Sequence, residues 1–137
     1  MKKLTVFTAT YNRAYCLNQL YESLKGQTSQ DFEWLIIDDG SEDGTEELVK
    51  RWKLENQLCI KYIFQENKGM LGAHNKAYEN IHTPLSVCID SDDYMPEDGV
   101  EKIITLWDRY GSDSYAGMVG LDIFKTGEII GTKLPTQ

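Results

Sequence analysis

Apolar, β-branched runs return at intervals of about 25 residues along this chain, each followed by a stretch with helical spacing. The runs occupy residues 4–9, 32–37, 59–64 and 85–90. After the first, Leu17, Leu20, Tyr21 and Leu24 stand three or four apart within residues 14–25, an amphipathic helix. After the second, Asp43-Gly44-Thr45-Glu46-Glu47 opens a helix that runs to about residue 56, with Leu48, Val49 and Trp52 inward and acids in its first turn. The third helix covers 70–80, with Leu71, Ala73, Ala77 and Tyr78 as core candidates. A fourth starts at Met95-Pro96-Glu97-Asp98 and carries Val100, Ile103, Ile104 and Trp107 to about residue 110. A parallel neighbour in a sheet needs a crossover long enough to hold a helix. Strand alternating with helix therefore predicts an α/β fold: a mostly parallel sheet with helices on both faces. Residues 59–64 alternate more than the other runs, which puts them nearer an edge. A fifth strand is expected over 115–124, a tight turn at 125–128 and a short returning strand at 129–131. There is no internal repeat, no low-complexity segment and no linker, so residues 1–137 read as a single domain.

The charge balance narrows the partners. A net charge of −8 and a pI of about 4.7 argue against a nucleic-acid surface, which would show a basic face. An acidic protein binds an anionic ligand only with the help of a cation or of local backbone donors. Cys16, Cys59 and Cys88 have no metal-type spacing and read as small buried apolar residues. An odd cysteine count without a secretory signal fits a reducing cytoplasm. No apolar run approaches the ~20 residues of a membrane span.

In an open parallel sheet, ligands bind outside the carboxyl ends of the strands. Here those ends are polar: Tyr11, Asn12 and Arg13 after the first strand, Asp38 and Asp39 after the second, Asn67 and Lys68 after the third, Asp90, Asp92 and Asp93 after the fourth. Parallel strands deliver all four ends to one edge. Three carboxylates within four positions repel one another unless something positive sits among them. A divalent cation is the simplest such partner, and oxygen ligands suit Mg²⁺ or Mn²⁺. A cation held there would let the turn accept a diphosphate. The Asp39 carboxylate is suited to accept from an imide or amide N–H of a pyrimidine, and the backbone from Thr8 to Tyr11 to hold a base or ribose beside it. Lys68 and Arg13 add positive charge at the rim.

Four segments together make the chain similar to the nucleotide-binding part of a family 2 glycosyltransferase with the GT-A fold. They are Thr8-Ala9-Thr10-Tyr11-Asn12-Arg13, Trp34-Leu35-Ile36-Ile37-Asp38-Asp39-Gly40-Ser41-Glu42-Asp43-Gly44-Thr45, Asn67-Lys68-Gly69-Met70-Leu71-Gly72-Ala73-His74-Asn75 and Asp90-Ser91-Asp92-Asp93. Each is weak alone; in order and at the family's spacings they are a strong signal. The resemblance implies a metal-dependent, inverting transfer of a sugar from a nucleotide-diphosphate donor, by default a UDP-sugar, to an acceptor hydroxyl. A glycan, a lipid or a protein would serve as acceptor, in cell-surface polysaccharide synthesis for instance. It implies a cytoplasmic protein or one peripheral at the inner membrane face.

By the same resemblance Asp39 contacts the base, Asp90 and Ser91 belong with the ribose, and Asp92, with Asp93 close behind, holds Mn²⁺ or Mg²⁺. Thr8, Ala9, Tyr11, Arg13, Asn67 and Lys68 complete the nucleotide site. His74 stands where the family commonly has arginine, which implies a weaker or pH-dependent basic contact. The family's general base lies well past the Asp-x-Asp turn, so it is expected beyond Gln137. The fold then reads as truncated at the C-terminus, with the acceptor-binding portion incomplete and donor binding outlasting sugar transfer.

Other readings compete. Asp38 and Asp39 also suit a simple turn and helix cap, and Asp43, Thr45 and Glu46 read as capping residues. A donor-binding module without catalysis would carry the same motifs. A nucleotidyl- or phosphoryl-transfer enzyme would need a glycine-rich basic loop after the first strand, and Tyr11-Asn12-Arg13 has no glycine. A calcium loop starting at Asp90 would place Met95 where the turn needs glycine. His74 and His82 are not spaced as ligands, the three tryptophans lie on apolar faces, and Tyr11 suits stacking on a base and packing equally.

Overall fold

The computed structural model describes residues 1–112, Ser114 and Gly117. Four strands, β1 (Leu4–Thr10), β2 (Phe32–Asp38), β3 (Ile60–Phe64) and β4 (Leu85–Cys88), form one parallel sheet in the order β3-β2-β1-β4. Helices α1 (Ala14–Lys25), α2 (Thr45–Glu55), α3 (Gly69–Glu79) and α4 (Gly99–Tyr110) follow the strands in turn. Side chains alternate across a strand, so β1 and β2 feed two cores. Leu4, Val6, Phe32, Trp34 and Ile36 face α1, α2 and the start of α4, where Leu17, Leu20, Tyr21, Val49, Trp52, Val100 and Ile104 meet them. Phe7, Leu35 and Ile37 face α3 through Ala73 and Ala77. On the first face Tyr21 stacks on Trp52 at 4.2 Å between ring centroids, and Trp34 stacks at 5.7 Å. The Trp34 Nε1–H donates to Thr8 Oγ1 at 3.0 Å, which satisfies both polar groups inside the core.

Successive strands step outward from β1 to β2 to β3, and β4 then returns to the other side of β1. The strand order reverses there, and a reversal opens a crevice at the carboxyl ends. Contacts gather the chain into two compact units, Met1–Thr105 and Leu106–Gln137. The first holds the sheet, α1 to α3 and the opening turns of α4. In the second, the described residues are the end of α4 and the few that follow, with the Arg109 guanidinium 5.9 Å from the Tyr110 ring.

Several expectations shift. The fourth strand is not a buried strand to residue 90: it stops at Cys88, and at the edge of the described sheet its residues alternate between half-buried and exposed. Asp90 therefore sits on the turn and not on the strand. Cys88 ends β4 and Cys59 precedes the opposite edge strand of the described sheet, and both are exposed; Cys16 alone is half-buried. Leu71 and Tyr78 are exposed, because α3 packs through an alanine stripe, Ala73 and Ala77, that brings its backbone close to Phe7. Helix α4 starts at Gly99 because Pro96 to Gly99 forms a turn, closed by Gly99 N–H donating to Pro96 O at 2.9 Å. Residue 59–64's edge position holds: β3 flanks the sheet among the described residues. The strands expected over 115–124 and 129–131 lie outside the described residues, Gly117 excepted.

Candidate functional site

At the carboxyl edge lies an open cavity of about 340 Å³. Its walls come from the end of β1 (Ala9, Thr10, Tyr11, Arg13), the end of β2 (Asp39), the start of α3 (Asn67, Gly69, Met70, Ala73, His74) and the acidic turn (Asp90, Ser91, Asp92). The four polar strand ends read from the sequence do meet here.

Asp39 is the most constrained of them. It is 5% exposed, and its amide donates to Thr10 O at 2.9 Å, which holds the ends of β1 and β2 side by side. Its Oδ1 accepts from Gln65 Nε2 at 2.9 Å and from Lys68 N–H at 2.8 Å, and its Oδ2 accepts from Gly69 N–H at 2.9 Å. The carboxylate thus satisfies orphan donors at the N-terminus of α3 and sits favourably at the positive end of that helix. The capping role read as a competitor is real, though the helix capped is α3 and not α2. It does not exhaust the group: a carboxylate has about four acceptor positions, and three are used. Asp38 is spent on structure. It is fully buried, accepting from Ser41 N–H at 2.8 Å and from the Tyr62 hydroxyl. Burial, then the Asp38 hydrogen bond, pushes the Tyr62 pKa far up, so it stays a donor. Between the two acids' loop and α3, Gly40 has φ +94° and leaves room for a Cβ only 3.0 Å from Asn67 N. A side chain there would be strained by backbone and by contact alike.

Asn12, one of the polar groups after the first strand, ties its loop to the loop after β2 through Ser41 and Glu42. Asn12 N–H donates to Ser41 Oγ at 2.9 Å, and Asn12 Oδ1 accepts from Glu42 N–H at 2.8 Å. Asn12 sits at φ +53°, a conformation asparagine tolerates better than most residues. Asp43 adds a second tie: its Oδ2 accepts from Ala14 N–H at the start of α1, and its Oδ1 accepts from the N–H and hydroxyl of Thr45 at the start of α2. Burial alone would raise the Asp43 pKa, but these donors outweigh it and leave it lowered.

The acidic turn is closed by Asp93 N–H donating to Asp90 O at 3.0 Å. One carboxylate oxygen from each of Asp90, Asp92 and Asp93 lies within 4.8 Å of the others, and all three residues are exposed. Oxygens on opposite sides of a Mg²⁺ or Mn²⁺ stand about 4.2 Å apart, so small rotamer changes would fit this trio to either ion. Arg13 Nη1 lies 3.2 Å from Asp92 Oδ2 and already brings positive charge to it. The charges of Tyr15 and then Asp92 raise the Arg13 pKa further, so it is a cation throughout. His74 packs edge-on against Phe7 at 5.6 Å, with Nε2 4.0 Å from Cys88 Sγ. Although Cys88 is exposed as a residue, partial burial of its thiol and then the charge of Asp90 push its pKa up to about 11. It is therefore no thiolate nucleophile at neutral pH.

Two residues expected to hold the nucleotide stand elsewhere, and one expected to hold the metal lies beside the cavity. Thr8 is buried beneath it, bonded to Trp34. Lys68 contributes its backbone N–H to Asp39, while its side chain packs over Gly72 and is not among the lining groups. Asp93 belongs to the carboxylate trio but not to the cavity wall. Thr10, within the segment expected to hold a base or ribose, and His74, expected at a basic contact, both line the wall; Met70 lines it with no signal in the sequence beyond its motif.

The model of glycosyl transferase family 2 matches residues 5–134. The chain belongs to that family. Among family relatives, it is 32% identical over 115 residues to the glycosyltransferase GlyA of Streptococcus pneumoniae, covering 84% of this chain and 16% of the relative. It is 35% identical over 96 residues to the teichoic acid poly(glycerol phosphate) polymerase of Staphylococcus epidermidis, covering 69% and 13%. The chain thus spans a small part of these relatives' length. Its fold matches the crystal structure of S. aureus TarS 1–349 in complex with UDP at a TM-score of 0.75 and 28% identity, over 82% of this chain and 34% of that one. It is a GT-A glycosyltransferase fold. This family 2 member has no helix among its described residues long and apolar enough to cross a membrane.

Proposed function

We propose that this family 2 chain binds a nucleotide-diphosphate sugar in the cavity and presents it for transfer, with inversion, to an acceptor hydroxyl. One observation carries the reading: Asp39 and the acidic turn, 51 residues apart in sequence, line one cavity at the strand-order reversal of a family 2 chain. The likeness to TarS, whose structures hold UDP and UDP-GlcNAc, supports a UDP-sugar as donor. The likeness to a teichoic acid polymerase supports cell-surface polymer synthesis, hence a site of action on the cytoplasmic side where nucleotide sugars serve as donors.

In this reading Asp39 spends its last acceptor position on a base N–H while α3 keeps its cap. Tyr11 and Ala9 flank the base, and Asp90 with Ser91 meets the ribose. Asp92 and Asp93 hold Mn²⁺ or Mg²⁺, which when bound supplies positive charge to stabilise the departing diphosphate. The acceptor oxygen attacks the anomeric carbon from the face opposite the diphosphate, the new C–O bond forms as the anomeric carbon–phosphate oxygen bond breaks, and the hydroxyl proton passes to a general base.

Calorimetric titration with UDP, GDP and dTDP, with and without Mn²⁺, tests it. Binding should need the metal and should differ among the bases. Asp92→Ala should abolish the metal requirement without unfolding the protein, since Asp92 is an exposed turn residue. Metal-independent binding of equal strength for all three nucleotides would overturn the assignment.

A further inference from the structure

Arg13 and Asp92 reach each other from different walls of the cavity. Arg13 immediately precedes α1, Asp92 lies on the turn after β4, and the 3.2 Å contact between them spans 79 positions of sequence. Asp92 is at the same time one of three carboxylates close enough to share an ion. Arg13 therefore brings a positive group to Asp92, the middle acid of the three. A divalent ion entering the trio finds one of its ligands already paired. It must also approach a fixed positive charge, and two cations at 4 Å oppose each other even at water-like dielectric by a factor of about five in affinity per unit charge. Arg13 is only half-buried, so its pairing with Asp92 is weak enough to be exchanged. A diphosphate changes the balance, because its oxygens offer a guanidinium a planar, two-pronged partner that a single exposed carboxylate oxygen does not.

We propose that Arg13 is a placeholder counter-ion: it occupies Asp92 in the empty site and turns to the diphosphate when cation and nucleotide arrive together. The inference rests on the nucleotide-diphosphate reading given above. Its consequence is an order of events. The cation alone binds poorly, the nucleotide alone meets an acidic turn, and the two bind with strong mutual coupling because Arg13 opposes one and rewards the other.

The test follows Mn²⁺ by the electron paramagnetic resonance signal of the free ion, titrated into the full 137-residue chain with and without UDP. Arg13→Gln and Arg13→Met are the neutral variants, two so that a folding failure in one leaves the other, and Arg13→Lys keeps the charge. The neutral variants should bind Mn²⁺ alone about three- to tenfold more tightly than the unsubstituted chain. The tightening of Mn²⁺ on adding UDP should shrink by at least the same factor. Arg13→Lys should stay within about twofold of the unsubstituted chain for Mn²⁺ alone. Neutral variants that fold, still bind UDP with metal, and hold Mn²⁺ alone no more tightly would overturn the inference. An unsubstituted chain showing no metal-dependent UDP binding would instead overturn the functional reading beneath it.

Discussion

A carboxylate that caps a helix from the wall of a cavity makes a sharp prediction at the residue scale. Asp39→Asn keeps the size of the side chain but turns an amide N–H₂ toward backbone donors at the start of α3. Stability should fall by about 1–3 kcal/mol, the usual cost of leaving a buried hydrogen-bonding group unmatched. Nucleotide affinity should fall with it. Urea unfolding beside UDP titration measures both, and an unchanged unfolding midpoint would refute the capping role. At this scale the sequence told a good deal about which residues mattered and less about how. Asp39, Asp90 and Asp92 were legible because an apolar strand delivers each to the sheet edge. The division of labour between Asp38 and Asp39 was not. Two adjacent acids look alike in one dimension, and only the pleat decides that Asp38 turns inward to Tyr62 while Asp39 turns toward α3. Lys68 misled for a related reason, since its useful donor is a backbone N–H that any residue type would supply.

Among the elements, the starts of α1 and α2 are pinned by one side chain, and that pin is acid-labile. Asp43 is held by donors from Ala14 and Thr45, and its pKa lies below the ordinary carboxylate value of 3.8. Because the folded-state value is the depressed one, the contribution is fully present above the unfolded value. It is lost as pH falls through the folded value, in the window below about 3.8. The unsubstituted protein should thus lose helix content and stability on acidification below that pH. Asp43→Asn leaves one acceptor oxygen for the two helix starts and no charge to neutralise, so it should be less stable near neutral pH and show a shallower further loss in acid circular-dichroism titrations. Element order was legible throughout the described chain because helix and strand periods differ so plainly. Element ends were less so. β4 closed two residues early and α4 opened late, since the turn between them follows from backbone hydrogen bonds that leave no hydrophobic signature. Leu71 and Tyr78 fell outside the core because a helix can bury alanines in preference to larger neighbours when the sheet beneath it supplies the bulk, here Phe7, Leu35 and Ile37.

For the molecule as a whole, ligand and fold are linked through shared parts, so occupancy should register as stability. If UDP binds only the folded form and only with Mn²⁺, then in the presence of Mn²⁺ UDP at about a hundred times its dissociation constant should add about 2.7 kcal/mol of stability, and a chelator should reverse the gain. A thermal melt in the presence of UDP, Mn²⁺ and then EDTA reads this directly; a chelator-insensitive shift would speak against the acidic turn as the metal locus. The sheet also sets where such a ligand meets resistance. Asp39 hangs between β1 and β2 and is pinned by three donors, whereas the acidic turn hangs from β4, a strand of only four residues. In the proposed reading, a sugar nucleotide laid along this trough would rest one end on an anvil and the other on a lighter frame. Discrimination among bases would then belong to the end braced by backbone donors, and the departing phosphate to the end carried by one short strand.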